Sequence, residues 1–335
     1  MTANAMKAVV QETYGAPRDV LQLQEMDRPR VSKGYVLIRV KATSVNTPDW
    51  ITVTGAPWII RPVFGLRRPK SRVRGTDLAG VVEAVGAGVT DFELGDEVFG
   101  STWDNDRPEV AGAFAEYAVA AASCLVKKPP GISFEEAAGS VMSGLTAQIA
   151  LRDVAKVGPG TRVLINGASG GIGTLAIQMA KSLGAEVTGV CSTKNLELVR
   201  SLGADHVIDY TREDFTRGDE RYDVILDNVM NHWPSATARA LAPGGVLLPN
   251  SVGNTGGLFA GLLRMAAAAF LGKVSVVVRF IDCVVNRETL SRLSASLDSG
   301  EVKVVIDKVY PLAEAGDAVA HMLGHRARGK VVIAV

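Results

Sequence analysis

The first third of the chain alternates short apolar runs with glycine and turn residues. The run VLIRVKATSVN is rich in β-branched residues and is bounded by Gly34 and by NTPD, so it predicts a strand. LAGVVEAVGAGVTDFELGDEVFG sets short valine-rich strands between glycines, and GAFAEYAVAAASCLVKKP predicts a further pair. Glycine every few residues predicts an antiparallel, barrel-like domain. Near Pro129 the rhythm changes. SFEEAAGSVMSGLTAQIALRDVA has helical character, and Ser133 with Glu136 fits a capping box. Strands and helices then alternate: RVLING, a helix ending at Gly184, EVTGVCS, a helix ending at Gly203, then HVIDY, YDVILDNV and GGVLLPNSVG as strands. Helix-length spacers between near-continuous apolar strands predict βαβ units in a parallel sheet covered on both faces. The last stretch, from VVIDKVY to VVIAV, reads as strand, helix and final strand.

Gly257 to Val285 is the greasiest segment. Arg264, Lys273, Arg279 and Asp282 interrupt it, so it predicts a buried helix followed by a strand and not a membrane span. A chain of 335 residues has room for about two domains. Lys+Arg at 36 against Asp+Glu at 35 gives no electrostatic case for nucleic acid or an anionic membrane. Cys124, Cys191 and Cys283 are far apart and odd in number, which suits buried reduced thiols in a cytoplasmic protein. MTANAMKAVV lacks the pattern of a secretory signal.

Candidate chemistry begins at Asn166–Thr174, NGASGGIGT. It lies between the strand-like RVLI and the helical TLAIQMA. Ala168, Gly170 and Gly173 fall in the frame of Gly-x-Gly-x-x-Gly. Such a turn lets backbone approach a pyrophosphate, and the following helix presents free N–H groups to it. Ser169, Gly170, Gly171, Ile172 and Gly173 are therefore candidate cofactor contacts.

The string resembles the loop of short-chain dehydrogenases. That family places it near the N-terminus and uses a Tyr-x-x-x-Lys pair, and none of the six tyrosines here has lysine four residues on. The chain as a whole resembles the medium-chain dehydrogenase/reductase superfamily, in its zinc-independent quinone-oxidoreductase branch. MKAVV, VKATSVNTPDW, GTDLAGVVEAVGAGVTDFELGDEVFG, GAFAEYAV, SGLTAQIAL, GASGGIG, SLGADHVIDY and GKVVIAV carry the likeness in order. It implies an α/β fold: an N-terminal GroES-like, β-barrel-type domain plus a Rossmann doubly wound parallel sheet. The implied domains are 1–127 (GroES-like, catalytic), 128–300 (Rossmann, NADPH-binding) and 301–335 (returning to the catalytic domain).

Zinc-dependent members use a cysteine and a Gly-His-Glu histidine. Here Val45 or Asn46 and Thr76 stand at those places, the first cysteine is Cys124, and His206, His232, His321 and His325 form no ligand set. His321 and His325, four apart, could share a helix face and read as surface histidines. No metal is expected. Without a Lewis acid, quinones and α,β-unsaturated carbonyls are the substrates that accept hydride easily. The rival readings are reduction of a saturated aldehyde or ketone, and a non-catalytic NADPH-binding structural or regulatory role.

NAD-specific folds end the second strand with an acid. TGVCSTKN offers Ser192, Thr193 and Lys194 instead, which suits the 2′-phosphate of NADPH. The resemblance adds Tyr210, Asn228, Val229, Ser251 and Val252 at later strand ends, and Thr146 and Lys330 more weakly. It matches Asn46 and Asp49 to residues facing the nicotinamide and its ribose, although NTPD also suits an ordinary turn before a helix. No side chain stands out as proton donor. Trp50, Trp58 and Trp103 could wall a pocket or belong to the core. WIIRPVFGLRRPKSRVRG is expected as a loop at the pocket mouth with a solvated basic face. A homodimer paired through the stretch after Gly257 is expected.

Overall fold

The computed structural model describes residues 5–56, 58–103, 112–251 and 257–335. The chain divides into two compact units: Met1–Leu145 with Val284–Gly300 and Val304–Val335, and Thr146–Cys283 with Glu301–Lys303.

The first unit opens with β1 (Ala5–Gln11), α1 (Pro17–Val20) and β2 (Leu21–Asp27), the two strands pairing antiparallel. It continues through β3 (Tyr35–Ser44), α2 (Thr47–Thr54), α3 (Arg61–Phe64), β4 (Asp77–Val85), β5 (Glu97–Ser101), β6 (Tyr117–Ala121), β7 (Leu125–Lys127) and α4 (Phe134–Gln148). Val36, Ile38 and Val40 on β3 point to one side, as a period of two requires, and pack with Leu78, Val82, Val98 and Leu125. Each such side chain, fully buried, contributes about 1.5–3 kcal/mol. Ser133 and Glu136 complete the expected capping box, each backbone N–H donating to the other's side chain (2.8 and 3.1 Å). The helical stretch after Gln148 widens into a π-turn over Ile149–Val154, closed by Ala155 N–H donating to Ala150 O.

The second unit holds β8 (Arg162–Asn166), α5 (Gly171–Ser182), β9 (Glu186–Cys191), α6 (Leu196–Ser201), β10 (His206–Asp209), β11 (Tyr222–Asp227), α7 (Pro234–Thr237), β12 (Leu241–Pro249), α8 (Gly257–Val274) and β13 (Val277–Val278). All its strand pairs are parallel, in the order β10-β9-β8-β11-β12-β13. That is the doubly wound order of a dinucleotide-binding sheet, with its crevice at the carboxyl ends.

Two expectations change here. The strand after the greasy helix is only two residues long, because it pairs with β12 alone at the sheet edge. The helix itself is not buried. Ala268 is fully buried and Gly272 lies against Val278, whereas Phe259 and Phe270 are 75% and 67% exposed. Small residues make the contact and large apolar ones face away.

The chain then returns to the first unit with α9 (Arg287–Asp298), β14 (Ile306–Pro311), α10 (Ala315–Leu323) and β15 (Lys330–Ala334). No sequence pattern was assigned to α9. Its signals are Asn286, whose side chain caps Thr289 N–H at 2.9 Å, and the buried Leu290, Leu293 and Leu297. The sheet order is β14-β15-β3-β4-β5-β7, with β6 also on β3, so the C-terminal strands extend the N-terminal sheet.

Candidate functional site

In the second unit the parallel register brings the strand ends level. Asn166 lies opposite Asp227 and Val190, Asp227 opposite Pro249, and Cys191 opposite Asp209. The glycine loop leaves β8 at this edge. Gly167 has φ +79, Ala168 N–H donates to Val190 O (3.0 Å), and Gly170 caps α5. A Cβ on Gly173 would stand 2.2 Å from Gly167 O and 2.7 Å from Ala168, so only glycine lets α5 approach the turn this closely. The first N–H groups of α5 lack intrahelical acceptors, and they face an anion with the positive end of the helix dipole.

At the end of β9 three hydroxyls and a cation meet. Ser192 is half-buried, and Thr193, Lys194 and the Tyr210 ring are exposed, Tyr210 by 58%. Lys194 makes no ion pair among the described residues. The structure adds Asp209, brought beside Thr193 by the β9–β10 register. Thr193 Oγ1 donates to its Oδ2 (2.6 Å), and Thr211 donates through Oγ1 (2.8 Å) and N–H (3.0 Å) to its Oδ1. These bonds, Thr193's foremost, hold the carboxyl below the usual carboxylate range. Asp209 is therefore already supplied with donors, and the Thr193 proton is spent on it. Ser192, Lys194 and Tyr210 remain to meet an incoming anion.

The ends of β11 and β12 form a separate network. Asn166 Nδ2 donates to Asp227 Oδ1 (2.8 Å) and to Asn231 Oδ1 (2.9 Å), and Asp227 Oδ1 also accepts Val229 N–H (3.2 Å) and Met230 N–H (2.8 Å). Burial pushes the Asp227 carboxyl up. Asn250 Nδ2 donates to Asn228 Oδ1 (2.8 Å). The turn bearing Asn228 and Val229 is thus fixed from beneath by Asp227, a contribution the sequence did not single out. Ser251 follows half-buried, and Val252 lies outside the described residues. Thr146 is buried, its hydroxyl donating to Cys283 Sγ (3.5 Å).

The first unit contains a buried polar cluster around Asn46, the N-cap of α2. Asn46 N–H donates to Asp49 Oδ2 (2.8 Å), Asn46 Nδ2 to Asp77 Oδ2 (2.7 Å), and Lys330 Nζ to Asn46 Oδ1 (2.6 Å). Lys330 also donates to Ser143 Oγ (3.1 Å), and Asp77 Oδ2 accepts Ser44 Oγ (2.8 Å) and Met142 N–H (3.2 Å). Asn46, Asp49, Asp77 and Lys330 are each at most 4% exposed. Burial, then the neighbouring Asp77, pushes Asp49 up to about 7, and burial lowers Lys330. Asp49 can therefore gain or lose a proton near neutral pH. NTPD is both the turn that starts α2 and part of this cluster. Lys330, which the resemblance gives as a weaker cofactor contact, donates here to Asn46 and Ser143.

Among the described residues no group of three His, Cys, Asp or Glu could hold a metal ion. At the two zinc-ligand places Asn46 offers an amide and Thr76 a hydroxyl, and Asn46 Nδ2 approaches Thr76 Oγ1 (3.4 Å) as well as Asp77. This donor set does not fit zinc. His321 and His325 do not share a helix face, because α10 ends at Leu323 and His325 turns away with φ +50. His321 instead bridges Asp307 Oδ2 (3.1 Å) and the Tyr310 hydroxyl (3.0 Å). Trp50 is core, Trp103 is half-buried and Trp58 is 77% exposed. The basic run is not wholly a solvated face: Arg67, Arg68 and Lys70 are exposed, but Arg74 is buried and donates from Nε to Gln11 Oε1 (2.7 Å). Burial lowers Arg74 to about 10.

Comparison with known proteins agrees with this architecture. Residues 32–130 match the alcohol dehydrogenase GroES-like domain, and residues 202–333 the family described as zinc-binding dehydrogenase. The chloroplastic quinone-oxidoreductase QR1 of Triphysaria versicolor is 32% identical, covering 99% of each chain. The chloroplastic NADPH-dependent alkenal/one oxidoreductase of Arabidopsis thaliana is 32% identical over 98% of this chain and 79% of its own length. The quinone oxidoreductase structure from Coxiella burnetii superposes with a TM-score of 0.85 at 28% identity, covering 99% of each chain. With two domain matches in the expected order and full-length relatives at this identity, the chain belongs to the medium-chain dehydrogenase/reductase superfamily, in its quinone-oxidoreductase-like branch.

Proposed function

We propose that the chain is a zinc-independent oxidoreductase that uses NADPH to reduce quinones or α,β-unsaturated carbonyls. One observation carries the choice of cofactor. The loop, Ser192, Lys194 and Tyr210 offer donors and positive charge at one sheet edge, while the nearby carboxylate, Asp209, already accepts from Thr193 and Thr211. Relatives named as quinone oxidoreductases and as an NADPH-dependent alkenal/one oxidoreductase support the substrate class.

When bound, NADPH supplies a hydride. The glycine loop and the start of α5 would hold its pyrophosphate; Ser192, Lys194 and Tyr210, with Ser169 at the loop's margin, would hold its 2′-phosphate. Asn228, Val229, Ser251, Val252 and Thr146 would complete the cofactor contacts. Asn46 and Asp49 keep the role the family resemblance gives them, toward the nicotinamide and its ribose; the Asn46 amide is held at both ends by Asp77 and Lys330. The carbon that becomes basic after hydride addition to the substrate would take its proton from water or a side chain. Domain bounds of 1–127, 128–300 and 301–335 belong to the same proposal. So do a cytoplasmic location and a homodimer, the pairing supported by the exposed Phe259 and Phe270 on α8. No helix among the described residues is long and apolar enough to cross a membrane.

The test is NADPH oxidation, followed by absorbance, with a quinone, an enone and a saturated aldehyde, and metal content measured on the same sample. Turnover of the first two without stoichiometric zinc is the expected result. Turnover of the aldehyde alone would favour carbonyl reduction. Tight NADPH binding with no turnover would favour a non-catalytic role.

A further inference from the structure

Ser169 and Ser192 come from different elements, the glycine loop and the end of β9, yet their side chains share one partner. Asn195 Nδ2 donates to Ser169 Oγ (2.9 Å) and to Ser192 Oγ (3.4 Å). Asn195 is 5% exposed, and its own N–H donates to Ser192 O (2.8 Å), closing the short turn Thr193–Asn195. A hydroxyl has one proton. An oxygen that accepts from an amide keeps that proton for another acceptor. Neither Ser169 nor Ser192 donates to a protein oxygen among the described residues. Thr193, in the same turn, shows the opposite case: its proton goes to Asp209.

We propose that Asn195 is a positioning residue that sets phosphate preference: by donating to both serines it frees two hydroxyl protons to meet an anionic group. The proposal rests on the NADPH reading above. A phosphate dianion accepts hydrogen bonds and offers none, so it takes both serine protons at once. A ribose 2′-hydroxyl carries no charge and gains less from the same donors, and the nearest carboxylate, Asp209, already accepts from Thr193 and Thr211. Both serine oxygens lie on one nitrogen, so a single anionic group can meet them, and Lys194 stands exposed in the same turn. Asn195 itself need not touch the ligand.

The experiment measures binding of 2′,5′-ADP and of 5′-AMP to the full chain by calorimetry, for the unaltered protein, Asn195→Ala, Asn195→Asp, Ser169→Ala and Ser192→Ala. The carboxylate of Asn195→Asp keeps the shape but accepts, so the serine protons turn inward. The affinity ratio of 2′,5′-ADP to 5′-AMP should fall about 100-fold in Asn195→Asp and about tenfold in Asn195→Ala, with 5′-AMP itself changing little. Ser169→Ala or Ser192→Ala should lower the ratio alone but add little on the Asn195→Ala background, because the coupled groups act as one. An unchanged ratio in a natively melting Asn195→Asp overturns the proposal. Should that variant not fold, an unchanged ratio in both serine variants overturns it equally. If the unaltered protein binds 2′,5′-ADP no better than 5′-AMP, the NADPH reading falls and this inference with it. If the unaltered protein keeps its preference and only the Asn195 and serine variants fail to lower it, the inference falls alone.

Discussion

Lys330 Nζ donates to Asn46 Oδ1 over 2.6 Å, tying the first residue of the last strand to the N-cap of α2. The bond spans almost the whole sequence and sits in a cluster that water does not reach. Lys330→Met keeps most of the side-chain volume and removes the ammonium, leaving Asn46 Oδ1 without its donor, Asp77 without its neighbouring cation and Asp49 with Arg74 alone. Removing one member of a buried charged group costs about 3–5 kcal/mol. Urea unfolding should show a loss of that size, against about 1 kcal/mol for Ser143→Ala. A loss for Lys330→Met no larger than that for Ser143→Ala would mean the cluster is not held by this charge.

The Asp49 carboxyl gives stability a pH dependence of defined sign. Burial and the neighbouring Asp77 push its pKa up to about 7 in the folded chain, from 3.8 for a free aspartate. The folded state therefore binds the proton more tightly than the unfolded one, and stability falls as pH rises from about 4 to about 7. Burial raises Asp77 in the same sense. Asp49→Asn keeps an oxygen for Asn46 N–H and removes the titration. Its denaturation midpoint should decline less over that window, so that it gains on the unaltered protein toward neutral pH. Parallel curves would contradict the raised pKa.

Lys194 supplies the cation of the proposed 2′-phosphate site and stands exposed at the end of β9. Lys194→Ala should weaken NADPH about tenfold or more while changing NADH less than about threefold. Fluorescence titration with each nucleotide checks this. Equal weakening of both would remove Lys194 from the phosphate site.

Much of this was legible in the sequence. The strand–loop–helix rhythm after Pro129 gave each strand of the second unit, since buried parallel strands read as continuous apolar runs such as VILD. The glycine loop and its place in the chain gave the family. What stayed hidden depends on register and long-range contact. Asp209 looked remote from Thr193 until the β9–β10 pairing set it opposite Cys191. Arg74 looked like one more surface arginine until Gln11 was found beside it. The bond from Lys330 to Asn46 has no local signal, because the two lie at opposite ends of the sequence. The helix after Gly257 was expected to be buried because hydropathy alone does not say which of its faces meets the sheet.

Gly173 offers a direct check on the loop. A Cβ there would meet the Gly167 carbonyl at 2.2 Å, backbone that cannot swing aside. Gly173→Ala should cost about 2 kcal/mol or more and weaken NADPH and NADH alike, because the turn is common to both. Thermal melting and the same titration read the two effects. Unaltered binding would show that the loop is not the pyrophosphate site.

Hydride transfer to an activated double bond leaves a label on one carbon. NADPH deuterated at the transferring position of C4 should be incubated with the enzyme and a simple enone, and the product examined by NMR and mass spectrometry. The account predicts deuterium on the β-carbon, a solvent-derived hydrogen on the α-carbon and an intact carbonyl. Deuterium on the carbonyl carbon, or no transfer from bound cofactor, would contradict it.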